Sequence, residues 1–333
     1  MQMKNIVVIG GGCGTHSVLR SLREFPAHLS AVVSMADDGG STGALREAYG
    51  VLPPGDVRQC LLALSLAPPE VRAMFEHRYA DGPLKGHTVG NIMLASLEMT
   101  TGSFESAVAT AAKLLNVNGT VIPVTLDNVR QGIVDTASGT RILGQHRIDE
   151  SRLLNGPWKV FLESVMQEGG MPRPVQANPK ALQAFAEADA IIIGPGSHYT
   201  STMPVFFIPG VAEAIRTSRG RLILNVNLVT TPGHTDDWTA TRFIREVETV
   251  LDRKVDHATF NTSPIPKEVL DESPGSAQTL PGDLTDPEAN RIVGADIAYK
   301  SASAKVPGDA MVRSFVRHDP DLLGPILWRL INA

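Results

Sequence analysis

The sequence predicts an α/β protein built on a mostly parallel sheet, and three observations carry this. Two apolar strands each run straight into a glycine-rich turn. Ile6-Val7-Val8-Ile9 leads into Gly10-Gly11-Gly12-Cys13-Gly14-Thr15. Ala31-Val32-Val33-Ser34-Met35 leads into Ala36-Asp37-Asp38-Gly39-Gly40-Ser41-Thr42-Gly43. A third run, Ala190-Ile191-Ile192-Ile193, ends in Gly194-Pro195-Gly196-Ser197. Continuous apolar runs suit strands buried on both faces. A strand–helix–strand order implies parallel pairing through a right-handed crossover.

The elements follow in order. The first strand spans residues 5–9, and a helix from 15 or 16 to about 24 places Val18, Leu19 and Leu22 on one stripe. The second strand ends near Met35. Residues 56–116 read as a helical insertion. Asp56 caps a helix over 57–66, and Pro68-Pro69 separates it from one over 70–78. After Gly86-His87-Thr88-Val89-Gly90 comes a helix near 91–99, and Ser103 caps another through 115, with Glu105 in its first turn. Residues 120–126 form a strand, and 129–136 and 140–148 a hairpin around Ala137-Ser138-Gly139. A helix over 178–188 has Pro179 at its first position, and strands span 190–193 and 222–228. Pro204 starts a helix, and another spans 237–251. Residues 273–287, rich in Pro, Gly, Ser and Asp, read as a loop. The chain closes with a strand over 312–316 and a helix over 321–331.

Composition narrows the function. The 333 residues suffice for one large domain, read here as 1–333, and 43% hydrophobic with 20% charged residues fits a soluble globular protein. A net charge of −5 gives no general attraction for nucleic acid or anionic membranes. Cys13 and Cys60 cannot build a disulfide framework, and no zinc spacing occurs. No run approaches the roughly 20 apolar residues of a membrane helix. A cytoplasmic protein without membrane insertion is expected.

The glycine turns point to phosphate. Glycine lets backbone N–H groups approach a ligand, and a following helix adds its positive end. A dinucleotide fingerprint fits imperfectly. Gly10 and Gly12 are followed by Thr15 in the third position, and Gly12 and Gly14 by Ser17. No Walker G-K-[ST] exists. Asp37 and Asp38 have three readings: a turn cap, an acceptor for ribose or base, or ligands for Mg²⁺ beside a diphosphate. Asn225 and Asn227 either satisfy loop backbone or face a ligand. Arg46 and Arg58 can each pair with Asp or grip phosphate. Near the C-terminus Asp319 caps, Pro320 takes the first helical position, and Arg317 lies on the surface.

These residues resemble the CofD-like family of 2-phospho-lactate transferases, and most of all its bacterial gluconeogenesis-factor (YvcK-like) branch. The resemblance rests on Gly10-Gly11-Gly12 with Gly14, and on Ala36 to Arg46. It continues through Gly50-Val51-Leu52-Pro53-Pro54-Gly55-Asp56-Val57-Arg58 and Gly86-His87-Thr88-Val89-Gly90-Asn91. Further matches are Gly194 to Ser201, Pro232-Gly233 with Thr235, and Arg317-His318-Asp319. It implies a Rossmann-like three-layer α/β/α fold and a nucleotide or nucleotide-sugar pocket at the strand ends. In the bacterial branch the ligands are UDP-sugars such as UDP-N-acetylglucosamine, with roles in gluconeogenic growth, cell shape and wall synthesis. The transferase branch moves a phospholactyl group from a nucleotide diphosphate, with Mg²⁺. Carried onto this chain, the ligand-facing residues are Gly10, Gly11, Gly12, Gly14, Thr15, Asp37, Asp38, Gly39, Gly40, Ser41, Thr42, Arg58, His87 and Asn91. From the later motifs come Gly194, Pro195, Gly196, Ser197, Thr200, Asn225, Asn227 and Arg317. Asp37 and Asp38 are the Mg²⁺ candidates. The helical insertion reads as a lid or an oligomer face, and a homo-oligomer and a cell-wall or metabolic enzyme as partner are further expectations. Three departures bear on sugar and base preference. Cys13 replaces a usual Thr, His234 replaces a usual Glu, and residues 269–273 lack an expected Tyr.

Overall fold

A computed structural model describes residues 3–153, 158–165, 174–271, 278–280, 290–299 and 316–333. Among the described residues, ten strands form two sheets. The larger contains β1 (Lys4–Gly10), β2 (Ala27–Val33), β3 (Thr120–Pro123), β7 (Ala190–Ile193), β8 (Arg221–Asn225), β9 (His257–Asn261) and β10 (Ile292–Ala295). Its order is β10-β9-β8-β7-β1-β2-β3, with every pair parallel. The smaller sheet is antiparallel, β4 (Val129–Asp135) lying between β5 (Arg141–Leu143) and β6 (Trp158–Ser164).

The parallel sheet follows from its side chains. Ile6, Val8 and Ile9 in β1 and all of Ile191–Ile193 in β7 are buried, because helices cover both sides of these strands. The chain leaves β1 in one direction toward β2 and β3, and later returns to β7 on the other side of β1. The β1/β7 boundary is therefore a switch point, where crossovers diverge and the strands' C-terminal ends leave a crevice.

Several boundaries differ from the sequence reading. The first helix is Gly12–Leu22, starting inside the first glycine turn. A helix Gly40–Tyr49, which apolar periodicity does not reveal, starts inside the second and ends at Gly50 with φ +69°. The next helix is Pro54–Ala63, capped at Pro53. Asp56 lies in its first turn and is not its cap. Residues 145–150 are helical where a hairpin arm is expected, so β5 is short. The strand expected over 222–228 ends at Asn225, and β6 has no counterpart in the sequence reading. Ser103, Asn178 and Asp319 cap the helices Phe104–Leu114, Pro179–Glu187 and Pro320–Asn332 as expected. Most of the loop at 273–287 and of the strand at 312–316 lies outside the described residues. Among the described residues, no helix is long and apolar enough to cross a membrane.

Candidate functional site

The first and third glycine turns touch. A Cβ on Gly14 would overlap the Pro195 carbonyl oxygen, so only glycine permits this approach. The Gly194 N–H donates to the Ile9 carbonyl at 2.8 Å, continuing the β1–β7 ladder into the turn. Asn227 fixes the third turn with both ends of its amide. Its Oδ1 accepts from Gly196 N–H at 3.0 Å and its Nδ2 donates to the Gly196 carbonyl at 2.8 Å. Asn227 thus takes the backbone-satisfying role of its two readings. Asn225 is fully buried and its Oδ1 accepts from the Thr259 hydroxyl, while its Nδ2 has no protein partner. That amide lies in a second hollow with Gly194, Gly196 and His198.

The second turn and the helical insertion border a small polar cleft. Asp37, Gly39, Ser41, Thr42, Asp56 and Arg58 line it, with Gln59, Arg78 and Asn91. Side chains join in series here. Arg58 Nε donates to Asn91 Oδ1 at 2.8 Å, Asn91 Nδ2 donates to Ser41 Oγ at 3.1 Å, and Ser41 Oγ lies 3.0 Å from His87 Nδ1. Gly90 makes room for this line, since a Cβ there would lie 2.6 Å from Arg58 Cδ. The cleft adjoins the first turn, because a Cβ on Gly12 would lie 2.5 Å from Asp56 Oδ1.

The expected aspartate pair divides. Asp37 Oδ1 accepts from Gly39 N–H at 2.9 Å and the residue lines the cleft. Asp38 turns away, its two oxygens accepting from Gln145 and His146 N–H at 3.1 Å each. It caps the helix Gln145–Glu150 from outside, which explains why the sequence around 145 shows no helix start of its own. Arg46 is also committed, donating to the Asp37 carbonyl at 2.6 Å and to Asn128 and Val129.

Arg58 and Arg317 meet electrostatically at His16 in the first helix. Burial first, then Arg20, Arg58, Arg23 and Arg317, hold the His16 ring down at about 4, so it is neutral near pH 7. Arg317 is half-buried, not on the surface as expected, and follows Val316 toward β8, where His318 is buried. Thr15 is fully buried against Gly10, and its hydroxyl has no protein partner.

Helix starts are of two kinds, and Pro53, Pro68 and Gly210 elsewhere also give their helices no side-chain cap. Thr88, Ser103, Asn178, Thr239 and Asp319 each cap their helices with a side-chain oxygen. Gly11 and Gly39, at the starts of Gly12–Leu22 and Gly40–Tyr49, supply no such cap. The sequence reading missed Gln59 and Arg78 in the cleft, and Asp149, whose Oδ1 accepts from the Thr200 hydroxyl at 2.9 Å. None sits in a recognisable motif. Only tertiary placement reveals them. Among the described residues, no group of three or more His, Cys, Asp or Glu is placed to hold a metal ion.

Comparison with known proteins agrees with this architecture. The family described as 2-phospho-L-lactate transferase CofD matches residues 6–297. A gluconeogenesis factor of Halalkalibacterium halodurans is 38% identical over 251 residues, 74% of each chain. One of Listeria innocua is 37% identical over 268 residues, 80% of each. A crystal structure of a UPF0052-family protein from Bacillus halodurans superposes with a TM-score of 0.85 at 31% identity, covering 98% of this chain and 99% of that one. The mixed α/β fold, with a mostly parallel sheet flanked by helices, is thus shared, and the chain belongs to the CofD-like family that includes the gluconeogenesis factors.

Proposed function

We propose that the chain is a cytoplasmic nucleotide-sugar-binding regulator, with a UDP-sugar such as UDP-N-acetylglucosamine as its ligand class. One observation carries the reading: two helices start at the glycine turns with no capping side chain, at the switch point of a parallel sheet. Helix starts whose first residue is glycine, with no capping side chain of its own, suit a diphosphate, and at the first of them the Asp56 carboxylate lies against Gly11 and Gly12. The diphosphate would lie against the glycine turns 10–14, 39–43 and 194–196. Arg58 and Arg317 would supply positive charge, and Asp37 would accept from ribose or base. The outward strand order from β1 also supports a Rossmann-like layering. The relatives' description as gluconeogenesis factors supports control of carbon metabolism, and the resemblance to the bacterial branch extends the proposal to cell shape and wall synthesis, through a protein partner that senses the liganded state.

A second reading is transferase chemistry on a nucleotide diphosphate. It is favoured by Asp37 and Asp56 sharing one cleft with Arg58. Mg²⁺ takes one or two carboxylates plus phosphate oxygens. Those two residues would hold it, Asp38 being spent on a helix start, and the ion would neutralise charge developing on the diphosphate.

Thermal melts with UDP-N-acetylglucosamine, GDP, NAD and buffer test the first reading. A ligand at about 100 times its Kd stabilises a fold by about 2.7 kcal/mol. A rise with the UDP-sugar alone, without Mg²⁺, supports the regulator. A rise that needs Mg²⁺ and disappears in Asp56→Asn supports the transferase. No rise with any UDP-sugar overturns the first reading.

A further inference from the structure

The helix Gln145–Glu150 is pinned to the site at three points. Asp38 of the second turn caps its start. Asp149 accepts from Thr200, just beyond the third turn. His234 Nε2 lies 3.0 Å from the carbonyl oxygens of both Ile148 and Ser151 at its end. Burial lowers the His234 ring's affinity for a proton, so it is neutral near pH 7 and its Nε2–H donates to those carbonyls. The helix also packs on β4, β5 and the π-helical turn His198–Thr202. It is the point where the antiparallel sheet meets two of the glycine turns.

Asp149 is unusual among these groups. One side of the residue stays open to solvent, yet crowding by the surrounding protein pushes its carboxyl up to about 6. Hydrogen bonds from Thr200 and Gln145 oppose the rise, and the charges of Asp37 and Asp38 add to it. The packed elements carry the remaining charged and titratable groups. Arg46 is committed to the Asp37 and Val129 carbonyls and Asn128. Arg141 on β5 is paired with Glu163, and Arg130 is on β4. His198 is buried among aromatic rings and is held neutral by that burial, and Tyr199 stays protonated to about 12. On the helix itself, His146 and Glu150 pair at 3.3 Å, away from Asp149, and Arg147 is exposed.

We propose that Asp149 is a positioning residue that couples the seating of an anionic ligand on the second and third turns to the uptake of one proton. The inference rests on the nucleotide-diphosphate reading of the site. An added negative charge near Asp37 raises the cost of keeping Asp149 ionised, so the carboxyl takes a proton from solvent as the ligand seats. The protonated acid keeps Thr200 on one oxygen, so the third turn stays held to the helix while repulsion falls. By the same linkage, anionic ligand binds more tightly as pH falls toward 6.

Titration calorimetry of the full chain with UDP-N-acetylglucosamine, in buffers of different ionisation enthalpy, reads the proton directly. The diphosphate diester of this probe does not itself titrate in the range. At pH 6 the wild type takes up about 0.4 proton per ligand if binding raises Asp149 by about one pK unit, and almost none at pH 8. Asp149→Asn keeps an acceptor for Thr200 and abolishes the uptake. Thr200→Val removes a bond that lowers Asp149, and moves the maximum uptake to higher pH. Buffer-independent heat in the wild type, or equal uptake in Asp149→Asn, overturns the inference while leaving the nucleotide-sugar reading intact. No heat with the UDP-sugar overturns that reading and the inference with it.

Discussion

Two helices that line the candidate site begin in opposite ways. Val89–Thr101 starts at Thr88, whose hydroxyl accepts from Asn91 N–H at 3.3 Å. Gly12–Leu22 starts at Gly11, which has no side chain to offer. The first start fixes a side chain, because the same Asn91 then holds Arg58 and Ser41. The second has no capping side chain of its own, and its buried glycines pack against the Asp56 carboxylate. One half of the site is therefore built from a hydrogen-bonded line of side chains, and the other from their absence. On the proposed nucleotide-sugar reading, recognition of sugar or base would fall to the first half and of phosphate to the second.

The largest test of this contrast is Gly14→Ala. The new methyl meets the Pro195 carbonyl, a backbone atom that cannot swing aside. A loss of about 3 kcal/mol is expected, read as a lower midpoint in denaturant. A loss near zero would show that the first and third turns do not need this contact.

The next test sets the two helix starts against each other. Thr88→Ala removes a cap and should cost about 1 kcal/mol of stability. Gly39→Ser adds a cap at a start whose backbone is already extended, with φ −88° and ψ 154°. Its effect on the unliganded protein should be only a few tenths of a kcal/mol. Nucleotide-sugar affinity should fall about tenfold, because the new hydroxyl competes for the same N–H groups, a loss of about 1.4 kcal/mol in binding. If Gly39→Ser binds as well as the wild type, the uncapped start has no role in ligand seating.

Asp149 gives the smallest effect and its direction can be worked out. Its folded value is raised to about 6 from 3.8. Its unfavourable ionisation is fully present above the folded value and is relieved as pH falls through 6 toward 4. The unliganded wild type should therefore gain stability relative to Asp149→Asn between pH 7 and pH 4, as read by paired melts. No change in that difference would mean that the carboxyl titrates as in water.

What the sequence reveals follows the range of the forces involved. The strand Ala190–Ile193 is legible because it is buried on both faces and needs no polar partner. The caps at Ser103, Asn178 and Asp319 are legible because each bond closes within three residues. The helix Gln145–Glu150 is not, because its cap comes from Asp38, 107 residues away. Gly40–Tyr49 is hidden by the glycines that open it, since glycine signals a turn wherever it stands. The site divides in the same way. Its glycine turns and the Arg58–Asn91 region can be read from local motifs. The commitment of Asn227 to Gly196, and of Asp38 to a distant helix, exists only in three dimensions.

A crystal structure of the chain with UDP-N-acetylglucosamine tests the central claim most directly. The account predicts the diphosphate against backbone N–H groups of the turns 10–14, 39–43 and 194–196, with Arg58 or Arg317 within hydrogen-bonding distance. A diphosphate bound elsewhere, with these turns contacting only solvent, would contradict it.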